Sequence, residues 1–306
     1  MVLHALTPPV GPRKSTAMAH PRPSAAMSPR QPVHRTLSPL FARPFAAVMG
    51  VLNVTPDSFS DGGAFLAPAD AIAQARTMIA AGADIIDIGA ESTRPYGGAE
   101  PVSAEEEKRR LEPILSRVAA LGTPVSIDTM KAEVADWAIS QGAAIVNDVW
   151  GLQRDPEMAG VVARTNVPVI IMHNRDAADP AIDILKDIAV FFRRSLEIAA
   201  KAGIPDGSIV LDPGIGFGKT PEQSMTVLAR LGELHGFGCP LLIGASRKRF
   251  IASVVPSEPR ERLGGSIAAH LMAASRGANI IRAHDVADTV QALRVSAAIE
   301  DLAPPI

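Results

Sequence analysis

The sequence of 306 residues has one cysteine, Cys239, one tyrosine, Tyr96, and only 4% aromatic residues. A single thiol excludes an intramolecular disulfide and a cysteine-based zinc site; it suits a reducing compartment, so a cytoplasmic location is expected. So few aromatics leave no stacking platform for bases, and a formal net charge of −2 excludes a generic nucleic-acid binder. No apolar run approaches the roughly 20 residues that cross a bilayer, which excludes a transmembrane helix. Neither nucleic acid nor membrane is an expected partner. Residues 1–45 lack any acid, while they hold Arg13, Lys14, Arg22, Arg30, Arg35, Arg43 and nine of the 26 prolines. A segment so poor in apolar surface cannot offset the entropy of ordering, and it reads as a disordered Pro/Arg-rich tail. Its character overlaps with organelle transit peptides, but the prolines oppose the amphipathic helix those need. Removing its six cations from the 30 basic residues leaves 24 against 32 acidic, or −8, so any anion site on the body requires local cations.

What is present is a globular composition, 47% hydrophobic and 20% charged. Short apolar runs cover 46–52, 83–88, 124–127, 144–146, 167–172, 209–211, 240–243 and 279–281. They are rich in Val and Ile and nearly continuous, as strands buried on both faces are. Helices are predicted between them near 69–81, 104–120, 131–141, 156–164, 182–202, 221–235, 261–276 and 286–300. Gly82, Gly142, Gly203 and Gly277 stand just beyond four of these as stops, and Pro156 and Pro221 suit first turns. Eight strand–helix pairs in about 250 residues predict an α/β fold, a (β/α)8 TIM barrel forming one catalytic domain over 46–300. Residues 301–306 read as a C-terminal tail. An open doubly wound sheet is the rival, and the absence of a glycine-rich first turn counts against it.

A barrel enzyme carries its chemistry at the carboxyl ends of its strands. The predicted ends are polar throughout: Asn53, Thr55 and Asp57 after the first strand; Asp87, Glu91, Ser92, Thr93 and Arg94 after the second; Asp128 and Thr129; Asn147 and Asp148; His173 and Asn174; Asp212; Ser246 to Arg249; and Arg282, His284 and Asp285. The opposite ends show nothing comparable. A buried acid or amide costs several kcal/mol unless paired. One such residue has a bland reading, as a group that binds its own loop. Asp128, Asn147 and Asp212 around one mouth, opposite Lys and Arg, instead point to a ligand pocket. Acids and amides can grip the donor-rich edge of a flat heterocycle, whereas Lys248, Arg282 and His284 suit phosphate oxygens. The glycine-rich stretches 53–68 and 91–103 read as lids over that mouth.

Other motifs are weaker. Residues 214–220 (GIGFGKT) suggest a nucleotide P-loop, but the first glycine of that motif would fall at Pro213. Lys248, flanked by Arg247 and Arg249, could be the Schiff-base lysine of an aldolase. His173, His235, His270 and His284 lack close metal-ligand spacing, and His235 and His270 read as ordinary helix residues.

Residues 49–63 (MGVLNVTPDSFSDGG), 87–95 (DIGAESTRP), 126–129 (SIDT), 147–148 (ND), 211–219 (LDPGIGFGK), 246–248 (SRK) and 282–286 (RAHDV) resemble dihydropteroate synthase. The likeness covers essentially all of 46–300 and none of the tail. It implies condensation of 6-hydroxymethyl-7,8-dihydropterin diphosphate with p-aminobenzoate to 7,8-dihydropteroate and pyrophosphate, in folate biosynthesis, with Mg²⁺ as cofactor and a homodimer as the assembly. By similarity, Asp128, Asn147, Asp212 and Lys248 would hold the pterin. Asn53, Arg282 and His284 would hold the diphosphate, with Asn53 on the metal. Thr93, Arg94, Pro95, Phe217 and Arg249 would border the aminobenzoate, and Lys248, Arg282 and His284 would be catalytic. On that division, Arg282→Ala would cripple turnover while largely sparing pterin affinity. The sequence departs from the family's usual pattern at Tyr96, at Asn174 and at Arg249. A pterin-binding methyltransferase and a catalytically silent pterin binder share the pocket, but neither needs a diphosphate site.

Overall fold

The β-branched runs fold as eight parallel strands: β1 (Ala47–Asn53), β2 (Ile85–Gly89), β3 (Val125–Asp128), β4 (Ile145–Asp148), β5 (Val169–Met172), β6 (Ile209–Asp212), β7 (Leu242–Ile243) and β8 (Ile280–Ala283). The structure, a computed structural model, describes residues 32–54, 67–91 and 102–302. The strand order is β6-β5-β4-β3-β2-β1-β8-β7. A parallel bridge pairs Leu211 with Leu241, and Leu211 N–H donates to Pro240 O at 2.9 Å, which brings β6 against the approach to β7. The result is a nearly closed (β/α)8 barrel, as the alternation predicts.

The helices are α1 (Ser38–Phe41), α2 (Pro68–Ala80), α3 (Ala104–Leu111), α4 (Leu115–Ala119), α5 (Ala132–Ser140), α6 (Met158–Thr165), α7 (Ile184–Ala202), α8 (Pro221–Ala229), α9 (Arg249–Val254), α10 (Leu263–Ser275) and α11 (Val286–Glu300). The stretch 104–120, predicted as one helix, is two, because Pro113 has no N–H to donate and the backbone leaves the helical region at Ile114, with φ of −124°. The end of 221–235 is a 3-10 helix, Leu231–Phe237. α9 is under two turns long, too short to leave a periodic signature. Gly203 closes α7 with φ of 85°, a left-handed conformation that a side chain would strain. No helix among the described residues is long and apolar enough to cross a membrane.

Period two sorts the strand side chains. Met49, Ile85, Ile145, Ile170, Val210, Leu242 and Ile280 form an apolar layer inside the barrel. Two residues further along their strands stand Asp87, Asn147, Asp212 and Arg282, so the next layer up is polar. The intervening residues, such as Ile86, Ile127, Val146 and Leu211, pack outward against the helices in one continuous core.

Residues 32–45 correct the expectation of a disordered tail over 1–45; residues 1–31 lie outside the described residues. Leu37 and Leu40 are buried against the apolar inner layer and cover the amino-terminal end of the barrel. His34 N–H donates to Gly207 O at 2.9 Å and its ring bonds Asn166 O at 3.1 Å, while Arg43 pairs with Asp84. The physical reason is local. An open barrel end would leave its inner side chains in water, and fully burying one leucine contributes about 1.5–3 kcal/mol. Averaging composition over 45 residues hides two leucines three apart.

Candidate active site

The polar layer opens at the carboxyl ends of the strands. Asp128, Asn147, Asp212 and Arg282, from four strands, line one pocket, and Phe217 and Lys248 complete its wall from the loops after β6 and β7. Lys248 Nζ stands 4.1 Å from the centre of the Phe217 ring, a cation–π contact that pins both to the rim.

Arg282 is the electrostatic centre. Its Nε donates to Asp87 at 2.6 Å and its Nη2 to Asp128 at 2.8 Å, so one guanidinium joins β8 to β2 and β3 across the barrel. Asn147 Nδ2 adds a bond to Asp87 at 3.2 Å. Beside the diphosphate-binding and catalytic roles expected of Arg282 from the sequence, its fork holds the carboxylate layer together. Burial, and after it the neighbouring Asp87, push Asp128 up to about 7 against the pull of Arg282. Burial likewise raises Asp212 to about 6; the Gly214 N–H that donates to it at 2.7 Å, with Lys248, Arg282 and Lys219, opposes that rise. Asp128 Oδ1 and Asn147 Oδ1 are buried without a hydrogen-bond partner, in side chains that line the pocket. Such atoms need a ligand or water to satisfy them.

His284 lies at the end of β8 beside this pocket, with its ring Nδ1 3.0 Å from Ser246 Oγ. Ser246 Oγ also accepts from His284 N–H at 3.2 Å. The Ser246 hydroxyl therefore donates its own proton to Nδ1, which accepts it, and the one imidazole proton sits on Nε2 as a donor. Burial first, then Arg282, Arg247 and Lys248, lower His284 to about 3. It would therefore meet phosphate oxygens as a neutral donor, beside the cationic Lys248 and Arg282. Arg247 is also redirected. It takes φ of 58° and is held there by Ser266 on its N–H, Arg262 on its carbonyl and Asp285 on its guanidinium. Strain of this kind persists only where surroundings over-determine it. Here it sets the turn that presents Ser246 and Lys248, and it turns Arg247 to Asp285 instead of the lysine.

Asn53 ends β1 on the same rim, paired in register with Gly89, and is half-buried. Arg249 is exposed at the start of α9 and does not line the pocket. Thr93, Arg94, Pro95 and Tyr96 lie outside the described residues, as do most of both proposed lids. Among the described residues, no three His, Cys, Asp or Glu side chains cluster to hold a metal. Asn53 offers one hard oxygen, which fits an ion whose other ligands arrive with a phosphate-bearing substrate. Sequence reasoning assigned no role to Asp87. Its signal was available: it stands two residues after Ile85, in the register that makes Asn147 and Arg282 face inward.

The sequence model of the family described as pterin binding enzyme matches residues 49–284. Dihydropteroate synthase of Bacillus subtilis is 46% identical over 257 residues, covering 84% of this chain and 89% of the relative. The crystal structure of a Clostridium difficile dihydropteroate synthase in the presence of pteroic acid is 47% identical, with a TM-score of 0.79, over 83% of this chain and 97% of that one. A Xanthomonas albilineans dihydropteroate synthase with 4-aminobenzoic acid is 43% identical, with a TM-score of 0.80, over 85% and 94%.

Proposed function

The chain belongs to the pterin-binding enzyme family and is a transferase of folate biosynthesis, a dihydropteroate synthase; on that premise we propose how its own residues divide the reaction. The observation that carries the proposal is the polar layer itself: two partnerless buried oxygens, on Asp128 and Asn147, beside a buried Asp212. The pterin's 2-amino and N3–H groups donate as a parallel pair to Asp212, which must be ionised to accept both. Asp128 and Asn147 bind other edge atoms of the ring, and Lys248 closes over it from Phe217.

The C–O bond to the diphosphate then breaks, and the leaving group keeps the electron pair. Arg282 and the His284 Nε2–H face the growing negative charge from the end of β8. Mg²⁺ is proposed with Asn53 as its protein ligand; when bound, it neutralises charge on the diphosphate oxygens. The pterin ring shares the positive charge left on its methylene carbon, and the neutral arylamine attacks that carbon. A C–N bond forms and the nitrogen releases one proton, so the chain needs no covalent intermediate and no strong base. Thr93, Arg94, Pro95, Phe217 and Arg249 are assigned to the aminobenzoate, with exposed Arg249 suited to its carboxylate. We further propose a homodimer, built on the exposed apolar residues Met272, Val295 and Ile299 of α10 and α11. A cytoplasmic location is proposed from the lone, unpaired Cys239.

The test is pyrophosphate release from pterin diphosphate, aminobenzoate and Mg²⁺, with Asp212→Asn alongside. Each charge-assisted bond is worth about 1.5–3 kcal/mol, so the variant should lose pterin affinity at least a hundredfold by calorimetry. Wild-type protein that binds pterin without releasing pyrophosphate would be a silent binder, and unchanged affinity in Asp212→Asn would remove Asp212 from the pterin site.

A further inference from the structure

Behind the pocket wall lies a buried chain of polar groups with no assigned role. Lys219, after the glycine turn that follows β6, is 2% exposed. Its Nζ donates to His173 Nδ1 at 2.7 Å and to Phe217 O at 3.1 Å. A lysine donating to Nδ1 puts the imidazole proton on Nε2, which donates in turn to Asp187 Oδ2 at 3.0 Å. Asp187, on α7, is partly exposed and also pairs with Arg175 at 2.8 Å. The chain therefore runs from the protein surface to the underside of the turn that carries Phe217.

That turn leaves no slack. A Cβ on Gly214 would meet His173 O at 2.0 Å and Lys219 Nζ at 3.3 Å, and one on Gly218 would meet Arg175 O at 2.5 Å. The loops after β5 and β6 are interlocked, with the lysine–histidine pair as the polar pin between them. The same Gly214 donates its N–H to Asp212, and His173 N–H donates to Asp212 O at 2.8 Å. Lys219 thus sits one backbone step behind the carboxylate at the pterin edge and holds, by its carbonyl, the residue whose ring carries Lys248.

We propose that Lys219 is a positioning residue for the condensation: oriented by His173 and Asp187, it holds the Gly214–Phe217 turn in place and supplies the buried countercharge behind Asp212. The proposal rests on the reading of Asp212 as the pterin-gripping carboxylate. The groups that face Asp212 are Lys248 from the start of α9, Arg282 from β8 and Lys219. Those that face Lys219 are Asp212, Asp187, Arg175, Lys248 and His173. Burial lowers Lys219 to about 7, opposed first by Asp212 and then by Asp187. Burial holds His173 down to about 4, so it is neutral and orients the ammonium without competing with it.

Binding competent for pterin needs Asp212 ionised and Lys219 protonated, so affinity has an acid limb and an alkaline limb. The experiment measures calorimetric affinity for 6-hydroxymethylpterin from pH 5 to 9 in wild type, Lys219→Met and Asp187→Asn, with melting temperature in parallel. Removing the lysine should move the acid limb up by about one pH unit, since an opposite charge nearby shifts a carboxylate by about 1–3 units, and should remove the alkaline limb. Asp187→Asn, milder because its site is partly exposed, withdraws a charge that favours the ammonium and should move the alkaline limb to lower pH. It serves if Lys219→Met does not fold. Limbs unchanged from wild type in the folded variants, with only a lower melting temperature, would make the chain structural and overturn the proposal. Asp212→Asn is the control: if it still binds pterin, the assignment of Asp212 fails, whatever Lys219 does.

Discussion

Replacing Arg282 with alanine is the sharpest perturbation of the barrel's polar layer. Asp87 is fully buried, the Asp128 side chain is 11% exposed, and both bond the one guanidinium. Removing one partner from a buried ion pair costs about 3–5 kcal/mol, because the remaining charge is stranded. Here two carboxylates would be stranded side by side, and one must take up a proton. Asp128 is the group that does so, already raised to about 7 by burial and Asp87 with Arg282 still present. An acid whose folded value lies above its unfolded one favours the fold below the unfolded value, and that advantage is lost as pH rises through the folded value. Without Arg282 the rise in Asp128 is larger, so wild type and variant should be closest near pH 5 and furthest apart above pH 8. The expected loss is then about 3–5 kcal/mol, by urea unfolding at each pH. Affinity for 6-hydroxymethylpterin at pH 7.5 should fall more than tenfold, because the layer that presents Asp128 and Asn147 loses its centre. A stability difference below 1 kcal/mol, or one flat from pH 5 to 8.5, would refute the shared guanidinium. Intact pterin affinity with lost turnover would restore Arg282 to a role on the diphosphate alone.

Leu37→Ala should destabilise the protein by about 2–5 kcal/mol through the cavity it leaves under the inner layer, with kcat unchanged below the melting transition. A change under 0.5 kcal/mol in chemical denaturation would mean that the barrel end is not sealed there. Lys248 stands over the Phe217 ring in a cation–π contact, and Arg247 is committed to Asp285. Borohydride with carbonyl compounds should therefore give no adduct on Lys248 by mass spectrometry, and an adduct would revive the aldolase reading.

The barrel was legible because its strands and its longer helices announce themselves in neighbouring residues: β-branched runs, glycine stops and polar groups where strands end; the short α1 and α9 leave no such mark. Asp128, Asn147, Asp212 and Lys248 could be singled out from that pattern alone. Asp87 could be seen at a strand end but not recognised as the partner of Arg282, which stands 195 positions away. Leu37 and Leu40 are invisible in a Pro/Arg-rich average, since what buries them is the open end of a barrel closed by residues far along the chain. Arg247 looks like one cation among three, and only Asp285, Ser266 and Arg262 turn it elsewhere.

Alternation of local periods, carried by residues a few positions apart, determined the (β/α)8 architecture and the end at which polar groups gather. Which carboxylate shares Arg282, which histidine is neutral and which leucines seal the barrel were decided by tertiary structure. Charge in an interior depends on burial and on distances across it, and neither exists until the strands have closed.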